Sequence, residues 1–182
     1  MITILAQLLP EVEILTLLDF PHQQEPEETG TTYAENAAIK AEHAAAHTGE
    51  WCLADDAGLE IDALGGAPGL YSKRFGGEEM PFSEKMQLLL AELEGHANRS
   101  ARFRCCVALA HQSHDTRVFE ASCEGTIATT PSGRGGFGYD PIFWLSEMGC
   151  TMADLTSDQK HAISHRGKVL RLFAAAFESL KH

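Results

Sequence analysis

Two adjacent carboxylates, Asp55 and Asp56, follow the short apolar run at residues 51–54. The pattern predicts acidic side chains at the end of a strand, where they are poorly placed for packing and well placed to bind a metal ion. The simpler alternative is a solvated strand end that leads into a turn, because Gly58 follows closely.

Acidic residues also cluster upstream, at Glu25, Glu27 and Glu28, in a loop rich in glycine and threonine. Carboxylate oxygens from separate chain segments are the ligands that a hard cation such as Mg²⁺ requires. Together with Asp55 and Asp56, this second cluster favours a magnesium site over a solvated turn.

A glycine-rich loop with two aromatic residues spans residues 131–141. Such a loop ordinarily marks a hairpin or a wide turn, and alone it is a weak sign of phosphate binding. Here Phe137 and Tyr139 bring aromatic faces to a loop that ends in the carboxylate of Asp140. Stacking on a nucleobase, with the carboxylate or the backbone contacting the edge of the base, is a natural use of this arrangement. Such stacking contributes about 1 to 3 kcal/mol in nucleic-acid systems.

Basic residues occur at two further places. Lys160, His165 and Arg166 surround Ser164 where the last helix is predicted to begin, and they are either ordinary surface or donors to a ligand. Lys40 lies on the polar stripe of an earlier helix. It can hold a phosphate as a point charge if that stripe faces the acidic residues. Without that contact, the stripe is the solvent side of the helix.

The helix that carries Lys40 has a clear start, because Thr32 and Glu35 have the spacing of a capping box. One face consists of small residues that let a neighbouring element approach closely, namely Ala37, Ala38, Ala41, Ala44 and Ala45. The polar stripe on the other face consists of Asn36, Lys40, His43 and His47.

The remaining pattern predicts an α/β fold in which a mixed sheet is flanked by helices. Strands are predicted at residues 11–17, 59–64, 101–110 and 118–129, the last two as antiparallel neighbours across the turn at 111–116. Helices are predicted at residues 83–93 and over most of the chain from Thr151 onward. There a buried face is formed by Phe173, Ala174, Phe177 and Leu180.

The composition fits one globular domain over residues 1–182, because 44% of the residues are hydrophobic and 22% are charged. The formal net charge of -12 argues against nucleic-acid polymers and anionic membranes as partners, since both would be repelled. A small phosphorylated ligand with magnesium remains compatible.

The 5 cysteines lie mostly in apolar runs without C-x-x-C spacing, as expected for reduced core residues of a cytoplasmic protein. The apolar start at residues 1–9 lacks a basic segment, a long hydrophobic run and a cleavage pattern. Neither a secretion signal nor a membrane span is therefore predicted.

Five motifs between residues 25 and 172 resemble, in their order, those of the non-standard purine nucleoside triphosphate pyrophosphatases, also called inosine triphosphate or xanthosine triphosphate pyrophosphatases. The motifs are EETG at 27–30 leading to ENA at 35–37 and Lys40, ADDAGL at 54–59, LGGAPG at 64–69 followed by YS at 71–72 and RF at 74–75, GGFGYDPI at 135–142, and AISHRG at 162–167. Their combination in this order is strong evidence for the resemblance.

The resemblance implies hydrolysis of inosine, deoxyinosine or xanthosine triphosphate to the monophosphate and pyrophosphate, which removes these nucleotides from the nucleotide pool. It also implies a magnesium-dependent homodimer with an elongated mixed sheet and an active site in a cleft between two lobes. For the catalytic site, it implies Asp56 as metal ligand and general base, Glu28 or Glu27 as a second metal ligand, and Lys40 as a phosphate contact.

The resemblance further implies a pocket for the base. Its members are Phe137, Gly138, Tyr139, Asp140, Lys160, His165 and Arg166. We expect His165 and Arg166 to donate to the 6-oxo group of the purine. Adenine carries an amino group there and would leave those donors unpaired.

Two features depart from the family pattern. The family begins with a strand and a Thr/Ser-Gly-Asn-x-x-Lys loop that grips the triphosphate, whereas residues 1–10 look like the helix that follows this loop. For a chain shortened in this way, we expect weaker triphosphate binding and an exposed strand edge. In addition, Ala57 stands where the family carries a hydroxyl residue, so its backbone N–H is left to contact substrate and the expected loss is modest.

Two other functions remain open. A chain without the phosphate-binding loop could bind nucleotides, or pair with a second subunit, without catalysing hydrolysis. A glycoside hydrolase would use Asp56 and Glu28 as acid and base without a metal. Release of pyrophosphate distinguishes a pyrophosphatase from a protein that only binds nucleotides. Dependence on magnesium distinguishes it from a glycoside hydrolase.

Overall fold

A six-stranded sheet flanked by helices forms the framework of the protein. The computed structural model describes residues 1–20 and 25–178. The strands are β1 (Cys52–Ile61), β2 (Pro68–Gly69), β3 (Ser100–His111), β4 (His114–Ile127), β5 (Phe143–Leu145) and β6 (Cys150–Thr151). The described helices are α1 (Ile2–Leu8), α2 (Tyr33–Thr48), α3 (Phe82–Glu92), α4 (Ser157–Ile163) and α5 (His165–Glu178). The predicted α/β fold is confirmed, and none of the described helices is both long and apolar enough to cross a membrane.

The strands lie side by side in the order β2-β1-β3-β4-β5-β6. Antiparallel register pairs Leu59 with Gly69 between β1 and β2, Thr126 with Trp144 between β4 and β5, and Trp144 with Thr151 between β5 and β6. The long strands therefore occupy the middle of the sheet. At one edge, β2 has two residues and pairs with β1 at Leu59 and Glu60. At the other edge, β6 also has two residues.

The chain divides into two compact units, each with its own apolar core. The first comprises the described parts of Met1–Ala57, Cys105–Ala121 and His165–His182, and the second comprises Gly58–Arg104 and Ser122–Ser164. Buried residues of α1, β3 and α5 form the core of the first unit. Buried residues of β1, α3, β3, β4 and β5 contribute to the core of the second.

Helix α2 begins and packs as its sequence predicts. The hydroxyl oxygen of Thr32 accepts a hydrogen bond from the backbone N–H of Glu35 at 3.1 Å and caps the helix. On the small-residue face, the buried alanines are Ala37, Ala41, Ala44 and Ala45. On the polar face, His43 and His47 are exposed, whereas Asn36 is buried. The predicted solvent-facing stripe is therefore exposed only over its second half.

Most other predicted elements are confirmed. Helix α3 matches the predicted helix at 83–93, and β3 and β4 form the predicted hairpin with a tighter turn. The predicted strand at 59–64 is the end of β1 followed by a short 3-10 turn at Asp62–Leu64. Helix α5 buries Phe173 and Ala174, whereas Leu180 lies outside the described residues.

The strand predicted at residues 11–17 is wrong. Val12 and Ile14 both pack against the core of the first unit, which produces the alternation of a strand. The backbone turns instead, with the N–H of Val12 donating to the carbonyl of Leu9 at 3.1 Å, and a 3-10 turn follows at Leu17–Asp19. Alternating burial in this segment reflects packing on one side and not pairing within a sheet.

Strand β1 continues through the acidic pair. The prediction that Asp55 and Asp56 lie at the end of a strand is wrong, because the strand extends to Ile61. Successive residues of a strand point to opposite sides, so the two carboxylates meet different neighbours. Asp56 pairs with Lys40 and Asp55 pairs with Arg166. These pairs make two charges tolerable within the strand.

Candidate active site

Asp56 lies at the centre of a charged cluster in the first unit. Its Oδ1 atom accepts a hydrogen bond from Lys40 Nζ at 3.1 Å, and the same ammonium group donates to Glu28 Oε1 at 3.0 Å. Two carboxylates from separate segments thus converge on one positive charge. The three side chains are between 16% and 35% exposed. The cluster is therefore open to a ligand while still partly removed from water, which strengthens its electrostatic interactions.

Asn36 holds the second oxygen of Asp56. Its Nδ2 donates to Asp56 Oδ2 at 3.3 Å, and its Oδ1 accepts from the backbone N–H of Gly30 at 2.8 Å. Asn36 and Lys40 are one helical turn apart on α2, so both reach the same aspartate. A Cβ atom at residue 30 would lie 2.5 Å from Asn36 Oδ1, so the close approach requires glycine. The loop that carries Glu28 is thereby tied to the start of α2.

Burial and charge act in opposite directions on these groups. Burial raises the pKa of Asp56 above its ordinary value, although the charge of Lys40 and hydrogen bonds from Lys40 and Asn36 oppose that rise. Burial lowers the pKa of Lys40, but Asp56 and Glu28 outweigh burial and leave this pKa above its ordinary value. Lys40 therefore remains an ammonium ion, and Asp56 is a more basic carboxylate than an exposed aspartate.

Asp55 forms a separate ion pair with α5. Its Oδ2 atom accepts from Nε and Nη2 of Arg166 at 3.0 and 2.7 Å. The Sγ atom of Cys105 lies 3.9 Å from the same oxygen. His165 begins α5 and is buried. The first unit thus brings Arg166, predicted from sequence as a contact to the base, onto the strand that carries Asp56.

The predicted metal ligands differ in their placement. Glu28 and Asp56 share Lys40 Nζ as a partner, and both Glu27 and Glu28 are exposed to solvent. Within residues 1–20 and 25–178, no group of three or more histidine, cysteine, aspartate or glutamate side chains is arranged to hold a metal ion. Two converging carboxylates still suit magnesium, because this ion binds through one or two carboxylates and takes further ligands from water and phosphates. Glu28 and Asp56 are the residues that fit it.

A second cluster lies in the second unit, on the glycine-rich loop and α4. Asp140 accepts hydrogen bonds from the backbone N–H of Phe137 at 2.7 Å and from Lys160 Nζ. The Lys160 ammonium lies 4.4 Å from the centroid of the Phe137 ring. Asp140 is buried, whereas Phe137 is 61% exposed. The loop therefore presents an exposed aromatic ring beside a lysine.

The turn before Phe137 depends on Gly136. Its φ angle is 75°, which residues with a side chain rarely adopt. A Cβ atom at this position would lie 2.1 Å from Asp140 Oδ2. Gly138, which was predicted to contact substrate, follows in the same turn. The absence of a side chain at residue 136 lets the backbone fold tightly around the buried carboxylate.

Tyr139 does not offer a stacking face, so that prediction is wrong. Its ring is only 2% exposed and meets the ring of Phe82 edge-on at a centroid distance of 5.3 Å. Its hydroxyl donates to the carbonyl of Ser72 at 2.9 Å. A tyrosine whose hydroxyl has a partner is stable inside a core, and this ring belongs to the core of the second unit. Phe137 is the exposed ring of the pair.

Ala57 follows Asp56 in β1 and is partly buried. Its methyl group packs against the core of the first unit. An apolar side chain is therefore well accommodated at this position. A contact between its backbone N–H and substrate stays a prediction.

Two contacts of the site were missed by sequence reasoning. The first joins Asn36 to Asp56, and the spacing of Asn36 and Lys40 on one helical face was the signal that could have found it. The second joins Asp55 to Arg166. These two residues are 111 positions apart, and nothing in the local sequence of either one indicates the other.

Known proteins resemble the chain over most of its length. Residues 1–176 match the model of the Ham1 family. A protein named dITP/XTP pyrophosphatase from Exiguobacterium sp. is 50% identical over 163 residues, covering 90% of this chain and 83% of its own. Another of that name from Geobacillus kaustophilus is 47% identical over 171 residues, covering 93% and 84%. The structure of the Staphylococcus aureus Ham1 protein matches with a TM-score of 0.91 and 37% identity, covering 96% of this chain and 91% of its own.

Proposed function

Because the chain belongs to the Ham1 family, we propose that it hydrolyses inosine, deoxyinosine and xanthosine triphosphates to the monophosphate and pyrophosphate. The observation that carries this proposal is the convergence of Glu28, Lys40 and Asp56 in the first unit. The names of the relatives support the substrate class. Such hydrolysis removes these nucleotides from the nucleotide pool.

Asp56 is the general base in this proposal. The oxygen of a water molecule attacks the α-phosphorus, the bond from that phosphorus to the oxygen bridging toward the β-phosphorus breaks, and pyrophosphate leaves. Asp56 accepts the proton that the water loses. Burial raises the pKa of this carboxyl, which makes it a better proton acceptor. Hydrogen bonds from Asn36 and Lys40 fix its orientation.

Lys40 contacts the phosphates. Its ammonium group is within hydrogen-bonding distance of Asp56 and Glu28, so a phosphate that it holds lies beside the base. Phosphoryl transfer depends on positioning and charge neutralisation more than on covalent chemistry. Magnesium held by Glu28 and Asp56 would add neutralising charge to the phosphates when bound.

Selectivity for the base depends on stacking and on directed donors. The exposed ring of Phe137 supplies a stacking surface, which is worth about 1 to 3 kcal/mol per base. Lys160 and Asp140 support that ring and its loop. His165 and Arg166 donate to the 6-oxo group, and the amino group of adenine leaves these donors unpaired.

We further infer a homodimer in a reducing, cytoplasmic environment. The dimer is supported by the family resemblance, and light scattering at several protein concentrations measures it. The environment is supported by the five cysteines, all of which are free thiols.

The two other functions are less favoured. A nucleotide-binding protein without activity is disfavoured because relatives at 50% and 47% identity are named pyrophosphatases. A glycoside hydrolase needs one carboxyl group that stays protonated. Here Asp56 and Glu28 both pair with the ammonium group of Lys40, so a cation lies between the two carboxyl groups where a glycoside hydrolase holds the scissile bond.

Hydrolysis of inosine triphosphate in ¹⁸O-labelled water tests the proposed reaction. We expect one labelled oxygen in the inosine monophosphate and none in the pyrophosphate. Asp56→Asn should lower kcat by about 10² to 10⁴-fold, the usual contribution of a general base. Asp115→Asn is the matched control, because Asp115 is an exposed aspartate of β4. Label in the pyrophosphate, or release of orthophosphate and inosine diphosphate, would contradict attack at the α-phosphorus.

A further inference from the structure

Two hydrogen bonds join Arg166, near the start of α5, to Asp55 in β1. Nε and Nη2 of Arg166 both donate to Asp55 Oδ2, at 3.0 and 2.7 Å. Because these donors lie on one edge of the guanidinium, two short bonds from them restrict the plane of the group. The side chains of Asp55 and Arg166 are 19% and 25% exposed, so water competes weakly for the pair.

A second, weaker contact reaches the same carboxylate oxygen. Asp55 lies inside β1, and the Sγ atom of the fully buried Cys105 is 3.9 Å from the same Oδ2 atom. Burial raises the pKa of the Cys105 thiol, so the thiol keeps its proton and is a weak donor to Asp55. The position of Asp55 within β1 restricts its carboxylate, and the two hydrogen bonds to that carboxylate restrict the guanidinium.

We propose that Asp55 is a positioning residue that fixes the guanidinium of Arg166 and thereby sets the preference for 6-oxo purines. This inference rests on the proposed function, in which Arg166 donates to the 6-oxo group. A guanidinium has five N–H donors. Asp55 engages the edge with Nε and Nη2, which restricts the orientation of the whole planar group.

Directional donors discriminate between bases because a wrongly matched base leaves them unpaired. A loosely held arginine can turn away from the amino group of adenine and regain water. A fixed arginine cannot, so adenosine triphosphate is rejected. Asp55 acts through Arg166 and does not touch the reacting atoms. Its loss should therefore change the KM for inosine triphosphate and the selectivity between bases, and should leave kcat for inosine triphosphate nearly unchanged.

The experiment compares kcat and KM for inosine and adenosine triphosphates in the wild type, Asp55→Asn, Arg166→Ala and the double variant. Asp55→Asn keeps the size of the side chain and removes its charge. We expect the ratio of kcat/KM values, inosine over adenosine, to fall by about 10- to 100-fold, the range for a hydrogen bond to a charged group. In the Arg166→Ala background, Asp55→Asn should alter that ratio by no more than about twofold.

The matched control is Asp62→Asn. Asp62 also pairs with an arginine, Arg102, at 2.9 Å, so the change removes a similar ion pair outside the proposed site. Its selectivity should stay at the wild-type value. Arg166→Lys is the second test, because it keeps the positive charge and loses the planar fork. It should lose selectivity as Asp55→Asn does, and it covers the case in which Asp55→Asn does not fold.

Three outcomes overturn the inference. Unchanged selectivity in folded Asp55→Asn would show that the pair does not set base preference. An equal effect of Asp55→Asn with and without Arg166 would show that Asp55 acts independently of Arg166. Full selectivity in Arg166→Lys would show that a fixed fork is unnecessary. Absence of pyrophosphate release by the wild type is a different result, because it contradicts the proposed function itself.

Discussion

Replacing Lys40 by glutamine should raise the pKa of Asp56. The Lys40 ammonium lies 3.1 Å from Asp56 Oδ1, and an opposite charge this close lowers a carboxyl pKa by about 1 to 3 units. Lys40 is shared with Glu28, and its side chain is 24% exposed. We therefore expect the low end of that range, a rise of about 1 unit, or about 1.4 kcal/mol against the charged form.

The direction of this pKa change follows from the groups that remain around Asp56. In Lys40→Gln, burial and the negative charge of Glu28 both continue to raise the pKa of Asp56, and the hydrogen bond from Asn36 is the main opposing contact left. Asp56 should then be protonated at a higher pH than in the wild type. A base that must be ionised works only above its pKa, so the range of pH in which Asp56 can accept a proton becomes narrower from the acid side.

Carboxyl ¹³C NMR of the metal-free protein measures this pKa directly, with Asp56→Asn to assign the signal. Lys40→Arg is the matched control, because it keeps the positive charge, and its Asp56 signal should titrate close to the wild-type pH. Lys73→Gln, which removes an exposed lysine of the second unit, controls for net charge. An Asp56 pKa that is unchanged or lower in Lys40→Gln would refute the assignment of Lys40 as its electrostatic partner.

Three further changes test the second unit. Phe137→Ala should raise the KM for inosine triphosphate by about 5- to 150-fold through lost stacking, with little change in melting temperature because the ring is 61% exposed. Tyr139→Phe should lower the free energy of unfolding by about 1 kcal/mol, since its hydroxyl donates to the Ser72 carbonyl, and should leave KM unchanged. Gly136→Ala should lower the free energy of unfolding by about 1 to 3 kcal/mol and raise KM, because its Cβ would lie 2.1 Å from Asp140 Oδ2. Chemical denaturation and steady-state kinetics measure all three.

A different outcome would contradict the prediction for each of these three variants. A melting temperature that falls sharply in Phe137→Ala would mean that the ring belongs to the core. A raised KM in Tyr139→Phe would restore Tyr139 as a substrate contact. Wild-type stability and KM in Gly136→Ala would show that the loop can rearrange around Asp140.

The sequence alone predicts well those features that arise from neighbouring residues. The capping pair Thr32 and Glu35 fixes the start of α2. The alanines that follow predict its buried face, and the four-residue spacing of Asn36 and Lys40 places both on the face that meets Asp56. Local hydrogen bonds and helical periodicity determine these features, so no knowledge of the distant chain is needed.

Features that depend on distant partners are harder to predict. The strand through Asp55 and Asp56 is stable because Arg166 and Lys40 neutralise the two charges, and these partners come from other elements. When these partners are not known, two adjacent aspartates predict the end of a strand. The alternation at residues 11–17 misleads for the opposite reason, since apolar side chains pack on the core while the backbone lacks the ladder of a strand.

The sequence also does not show which aromatic residue of the glycine-rich loop is buried. Phe137 and Tyr139 are two positions apart and look equivalent in sequence. Only the fold shows that Tyr139 reaches the carbonyl of Ser72 inside the core, while Phe137 remains exposed. Burial of an aromatic ring is decided by the space available around it, which the loop sequence does not encode.

The most direct test of the central claim is a measurement of pyrophosphate release from inosine and adenosine triphosphates. It is made with and without magnesium, in the wild type and in Asp56→Asn. The cluster of Asp56, Lys40 and Glu28 predicts magnesium-dependent release that is selective for inosine triphosphate and is lost in the variant. Folded wild-type protein that releases no pyrophosphate, or an Asp56→Asn variant that retains the wild-type rate, would contradict the account.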